Sequence, residues 1–112
     1  MPHIIVEYTD TMDVDIPCLL HDLHHDLGAR ESVNLNLISS RAVPLAHTIV
    51  GADQQSNKMV HITLKLFAGR SEQLRHEMTQ GLQNTARNHI SDDTVSITVD
   101  AHEMNKSTYQ MN

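Results

Sequence analysis

Residues 59–66 read MVHITLKL. Set beneath residues 1–8, MPHIIVEY, they share Met, His and Ile at the same places, at an offset of 58 positions. This internal repeat constrains the fold more than any other feature of the chain, because each copy opens the same succession of elements. A helical pattern follows the first copy, with Ile16, Leu19, Leu20, Leu23 and Leu27 on one face. Asp15 is placed to cap that helix, Pro17 suits its first turn, and Gly28 is placed to end it. After the second copy, Leu74, Met78, Leu82, Ala86 and Ile90 recur every four residues, with Gly69 ahead of them and Ser71 as a cap. Residues 35–43 (LNLISSRAV) and 94–99 (TVSITV) then alternate as strands do. Each half therefore reads β–α–β, a unit that joins parallel strands through a helical crossover.

Two such halves, about 1–45 and 59–104, predict one α+β domain spanning residues 1–112, a four-stranded sheet with both helices on one face. The connection PLAHTIVGADQQSNK (residues 44–58) carries the expected surface loop, and the tail from Asn105 shows no clear element. Ile5 and Phe67 alternate onto the face without helices. An apolar face left uncovered is expected to pack against another subunit. Aromatic residues are only 3% of the chain, so the core must come from Leu, Ile, Val and Met.

A formal net charge of −6 argues against a nucleic-acid or anionic-membrane partner. Cys18 is the single cysteine, which excludes an intrachain disulfide and suits a reducing compartment. With neither a signal-like N-terminus nor an apolar stretch approaching membrane-spanning length, the expectation is a soluble, cytoplasmic protein. Among only eight Lys and Arg, two arginines stand out. Arg41 follows Ser39 and Ser40 within a strand, where a long cation is misplaced unless it reaches an anion. Arg70 lies in AGRS at a strand-to-helix junction, where helix N–H groups and a guanidinium together favour an anion.

The histidines carry less. HDLHHD (residues 21–26) sets His21 and His25 one helical turn apart, but HExxH is absent and no third ligand is indicated, so a solvated helix face outweighs metal binding. His3 and His61 hold equivalent places in the two repeats, which points to a shared packing or hydrogen-bonding role. Cys18 has no His or Asn partner assignable by spacing.

The stretches MPHIIVEYTD, VHITLKLFAGRS and VSITVDAHEM together resemble the 5-carboxymethyl-2-hydroxymuconate isomerase family of the tautomerase superfamily, which also holds 4-oxalocrotonate tautomerase and macrophage migration inhibitory factor. The resemblance covers nearly the whole chain; its most specific elements are the Met-Pro start and the GRS junction. It implies a tautomerase-like homotrimer and removal of Met1, so that Pro2 becomes a free secondary amine acting as general acid/base. This answers why proline stands at the head of a strand. Lacking an N–H, it is merely tolerated there; as a terminal amine it is wanted. Val60 holds the equivalent place in the second repeat and has no free amine, so one site per chain follows. Arg41 and Arg70 match the family's substrate-binding arginines. The chain departs from the family in having no aromatic residue between Pro44 and Lys58, and TVSITV lacks the arginine that 4-oxalocrotonate tautomerase carries there.

The implied activity is a cofactor-free shift of a proton along a 2-hydroxy-dienoate di- or tricarboxylate, a small anionic substrate, in aromatic-compound degradation. The alternatives are a related proline-dependent dehalogenase or decarboxylase, and a non-catalytic trimeric binding module.

Overall fold

A computed structural model describes residues 1–52 and 56–112. The elements run β1 (His3–Thr9), α1 (Ile16–Gly28), a short 3-10 turn (Leu35–Leu37), β2 (Ser39–Leu45), β3 (Met59–Phe67), α2 (Glu72–His89) and β4 (Ser96–Met104). The strands form one sheet in the order β2-β1-β3-β4. Within each half the strands are parallel, β1 with β2 and β3 with β4; the halves join through the antiparallel β1–β3 pair. Part of the polar loop expected between Pro44 and Lys58, residues 53–55, lies outside the described residues.

The two-residue period of β3 is complete: Val60, Ile62, Leu64 and Leu66 are buried, and their neighbours are not. Ile4 and Val6 continue that face on β1, against Leu19, Leu23 and Leu27 of α1 and Met78, Leu82 and Ala86 of α2. The core contains no aromatic side chain. Each fully buried Leu or Ile contributes roughly 1.5–3 kcal/mol of transfer free energy. Caps fix where the helices begin. Asp15 accepts from the Cys18 N–H at 3.0 Å, and Ser71 from the Leu74 N–H at 3.1 Å, each worth about 1 kcal/mol. Three contacts in reverse order set the helices antiparallel: Asp22 with His89, Asp26 with Thr85, and Arg30 with the Glu77 carbonyl.

Several expectations need correction. Gly28 does not end α1 in a left-handed conformation; it is the last helical residue, and Ala29 caps with φ −77°. A Cβ there would overlap the Leu35 Cδ1 and come 3.1 Å from its Cβ, so Leu35 would have to shift to admit one. The genuinely left-handed glycine of the second half is Gly69, at φ +127°, which turns the chain from β3 into α2. β2 and β4 are shifted towards the C-terminus relative to the alternating stretches. Leu35–Leu37 form the 3-10 turn instead of strand, Thr94 and Val95 precede β4, and the strands run on to Leu45 and Met104. β2 includes Pro44, which is allowed because β2 is an edge strand. The HDLHHD face is not uniformly solvated either. Asp22 meets His89, and the His24 Nδ1 sits 2.7 Å from the Ser40 hydroxyl of β2.

The face opposite the helices is more polar than Ile5 and Phe67 suggest. The pairing puts His3, Glu7, Arg41, His61, Thr63, Lys65, Thr98, Asp100 and His102 on it beside Ile5, Val43 and Phe67. Among the described residues no helix is long and apolar enough to cross a membrane.

Candidate active site

Pro2 lies one residue beyond the last β1–β3 pair, His3 with Lys65, at the end of the sheet where β3 runs into Gly69 and Arg70. It is buried, on the helix-side face with Ile4 and Val6. Its carbonyl accepts from the Ser39 N–H at 3.0 Å, which fastens it to the start of β2. Topology thus brings the first strand's start, the second strand's start and the Arg70 turn to one place.

Arg70 does not extend into solvent. Its Nη2 donates to the Ser32 carbonyl at 2.9 Å, and its Nε is buried without a hydrogen-bond partner among the described residues. The guanidinium acts on the chain's terminal amine. Burial, then Arg70, then Lys106 hold the Met1 ammonium below its ordinary pKa. Each cause disfavours the protonated amine, the first by removing water and the others by like charge.

Arg41 occupies different ground. It is exposed on the open face of β2, and its Nη1 donates to the His3 Nδ1 at 3.1 Å. A guanidinium can only donate, so Nδ1 is the accepting nitrogen and the neutral ring carries its proton on Nε2. That Nε2–H lies 2.9 Å from the Tyr109 hydroxyl and donates to it. The Tyr109 O–H is left to donate elsewhere. Burial, with Arg41, Lys65 and the chain's N-terminus, lowers the His3 pKa, which agrees with a neutral ring. The structure therefore gathers Pro2 and Arg70 at one end of the sheet, while Arg41 is joined to Pro2 through its neighbour His3.

His61, the repeat counterpart of His3, bonds Thr98 on the adjacent strand at 2.7 Å. Both histidines make cross-strand hydrogen bonds, as their equivalent places suggested. Sequence reasoning missed the tail. Asn105 caps a turn through Ser107 and Thr108 that carries Lys106 and Tyr109 back to the N-terminus. There the Lys106 ammonium stands 5.9 Å from the Phe67 ring centroid, and Tyr109 meets Phe67 edge to face at 5.1 Å. The only available signal was the N-S-T turn motif after β4. An aromatic wall absent from residues 44–58 is thus supplied by Phe67 and Tyr109. A cavity of about 970 Å³ lies elsewhere, lined by Thr9, Thr48, Asn57 and Lys58 at the far end of β1, and none of the groups at the Pro2 end lines it.

A sheet of two paired β–α–β units with both helices on one face is the fold of a tautomerase-type isomerase. The sequence profile of the 5-carboxymethyl-2-hydroxymuconate isomerase family matches residues 2–112. The chain belongs to the 5-carboxymethyl-2-hydroxymuconate isomerase family, and it is an enzyme of this isomerase kind. Among solved structures, a 5-carboxymethyl-2-hydroxymuconate isomerase from Deinococcus radiodurans R1 is 26% identical. It superposes with a TM-score of 0.82 over 99% of this chain and 88% of its own. A 5-carboxymethyl-2-hydroxymuconate delta-isomerase, 17% identical, reaches 0.85 over 100% and 87%. A fused 4-OT wild type symmetric trimer, 15% identical, shares the fold at 0.78 over 97% and 90%. No curated protein matches the chain by sequence.

Proposed function

We propose that the protein converts a 2-hydroxy-dienoate bearing two or three carboxylates, of the 5-carboxymethyl-2-hydroxymuconate type, into its 2-oxo isomer. Pro2, freed by removal of Met1, is the general acid/base. The amine removes the 2-hydroxyl proton, the electron pair moves through the diene, and a carbon along it takes a proton from the prolinium. Nothing is oxidised or reduced, so the step draws on no co-reactant.

The observation that carries this reading is the place of Pro2, buried at the head of β1 at the end of the sheet that holds Arg70. There burial, Arg70 and Lys106 lower the pKa of the Met1 amine; with Met1 removed the amine stands one residue inward, and the same causes are expected to act on it. A general base at neutral pH needs such a depression to be unprotonated. Arg41, Arg70 and Lys106 are the groups we assign to the substrate carboxylates, in a chain of net charge −6 overall. Mixing a 2-hydroxymuconate-type dienol with the processed enzyme should collapse its ultraviolet absorbance far faster than buffer does. Decay at the buffer rate would leave a binding module as the better reading.

The site is proposed to be completed in a homotrimer. The sheet face opposite the helices mixes apolar Ile5, Val43 and Phe67 with charges that a symmetric neighbour can pair. Sedimentation equilibrium at micromolar concentration is expected to give three times the 12.6 kDa chain mass. A stable monomer would overturn the assembly.

A further inference from the structure

A second cluster of reactive side chains lies away from Pro2, between the two helices. We propose that Cys18, Asp22 and His89 bind a divalent transition-metal ion of the zinc type, bridging α1 and α2. Their ligand atoms all lie within 4.8 Å of one another. Zinc bonds of about 2.0–2.3 Å put tetrahedral donors roughly 3.3–3.8 Å apart, so side-chain rotation alone closes the difference. Cys18 and Asp22 are four residues apart, one above the other on α1. The antiparallel packing of α2 delivers its last residue, His89, onto Asp22, with Nε2 at 2.7 Å from Oδ2. A metal takes the place of the proton between those two atoms, and the pair widens to admit it.

The simpler account is an ion pair that fastens the helices. It explains Asp22 and His89 but leaves the thiol of Cys18 beside them without a role. Sulfur, imidazole and carboxylate together select zinc-like ions over magnesium or calcium. Deprotonated Cys18 and Asp22 bring two negative charges, matching a divalent ion, and binding releases the thiol proton. Three protein donors leave a fourth position to water. The site is remote from the proposed chemistry, because α1 begins beyond the far end of β1 from Pro2, and His89 leads towards the start of β4. The i, i+4 pair His21 and His25 is not the ligand set. Their rings lie tilted with centroids 4.2 Å apart on the exposed side of α1; His21 also approaches Asp22, Nδ1 to Oδ1 at 3.5 Å, but neither histidine belongs to the cluster.

The test is Co²⁺ titration of untagged, chelator-stripped protein. One equivalent should give a thiolate-to-cobalt charge-transfer band in the near ultraviolet, with the visible bands of a four-coordinate ion, and Zn²⁺ should bleach both. Cys18→Ser should abolish the charge-transfer band. His89→Ala, or His89→Gln if the alanine variant is poorly folded, should weaken Co²⁺ binding at least about tenfold. His21→Ala with His25→Ala should leave band and stoichiometry intact. Absence of the band at one equivalent would overturn the proposal, as would undiminished affinity in both His89 variants or a signal lost only with His21 and His25.

Discussion

Protein that retains Met1 is expected to fold normally and to isomerise dienols about 10²–10⁴-fold more slowly than protein beginning at Pro2, the range a positioned acid/base contributes. With Met1 attached, the Pro2 nitrogen is a tertiary amide whose lone pair is delocalised into the carbonyl. The chain's terminal amine then belongs to Met1, displaced by one residue. Folding should not change, because the Pro2 carbonyl keeps its bond from Ser39 and Ile4 and Val6 keep the core. Intact mass spectrometry can sort preparations by the presence of Met1, and the same samples can be assayed. Equal rates in both would remove Pro2 as the base and return attention to His3, His61 and Glu7.

Arg41→Ala and Arg70→Ala are each expected to lower kcat/KM by roughly 10–150-fold, the equivalent of about 1.5–3 kcal/mol for a lost charged hydrogen bond. Arg→Lys should recover only part, since an ammonium cannot make the bidentate pair. The two alanine variants should differ in their pH profiles. Arg70 lowers the pKa of the Met1 amine; if it acts in the same way on the Pro2 amine one residue inward, its removal lets that pKa rise and moves the acid limb of the kcat/KM profile to higher pH. Arg41 is not among the groups acting on the amine; its partner is His3. Its loss should reduce the rate with the acid limb unmoved. A limb that shifts equally in both variants, or in neither, would contradict this division of labour. Unchanged kinetics in both would take the arginines out of the site.

Much of the architecture was legible because it is written in local periods. The MPHIIVEY and MVHITLKL copies became β1 and β3, paired antiparallel at the centre of the sheet. The four-residue spacing of Leu19, Leu23 and Leu27, and of Met78, Leu82 and Ala86, marked the helical stripes that are buried. Asp15 and Ser71 cap as their residue types and positions suggested. Each of these signals depends on a few neighbouring residues, whose side chains point where the backbone period sends them.

What tertiary structure decided was which distant residues meet. The His3 and Tyr109 side chains that touch are 106 positions apart, and their contact depends on the tail turning at Asn105 after a nine-residue β4. His89 reaches Asp22 only because α2 packs antiparallel to α1 and ends at that level. Gly28 carries the mark of a helix terminator in any local reading, yet it is the last helical residue, and the side chain packed on its bare Cα is Leu35, at the start of the 3-10 turn. The polarity of the open face likewise emerged only from register, which aligns Arg41 with Ile5 and Asp100 with Thr63. Periodicity states which way a side chain points; register and packing across the whole chain determine what it meets, since those contacts join residues with no local signal in common.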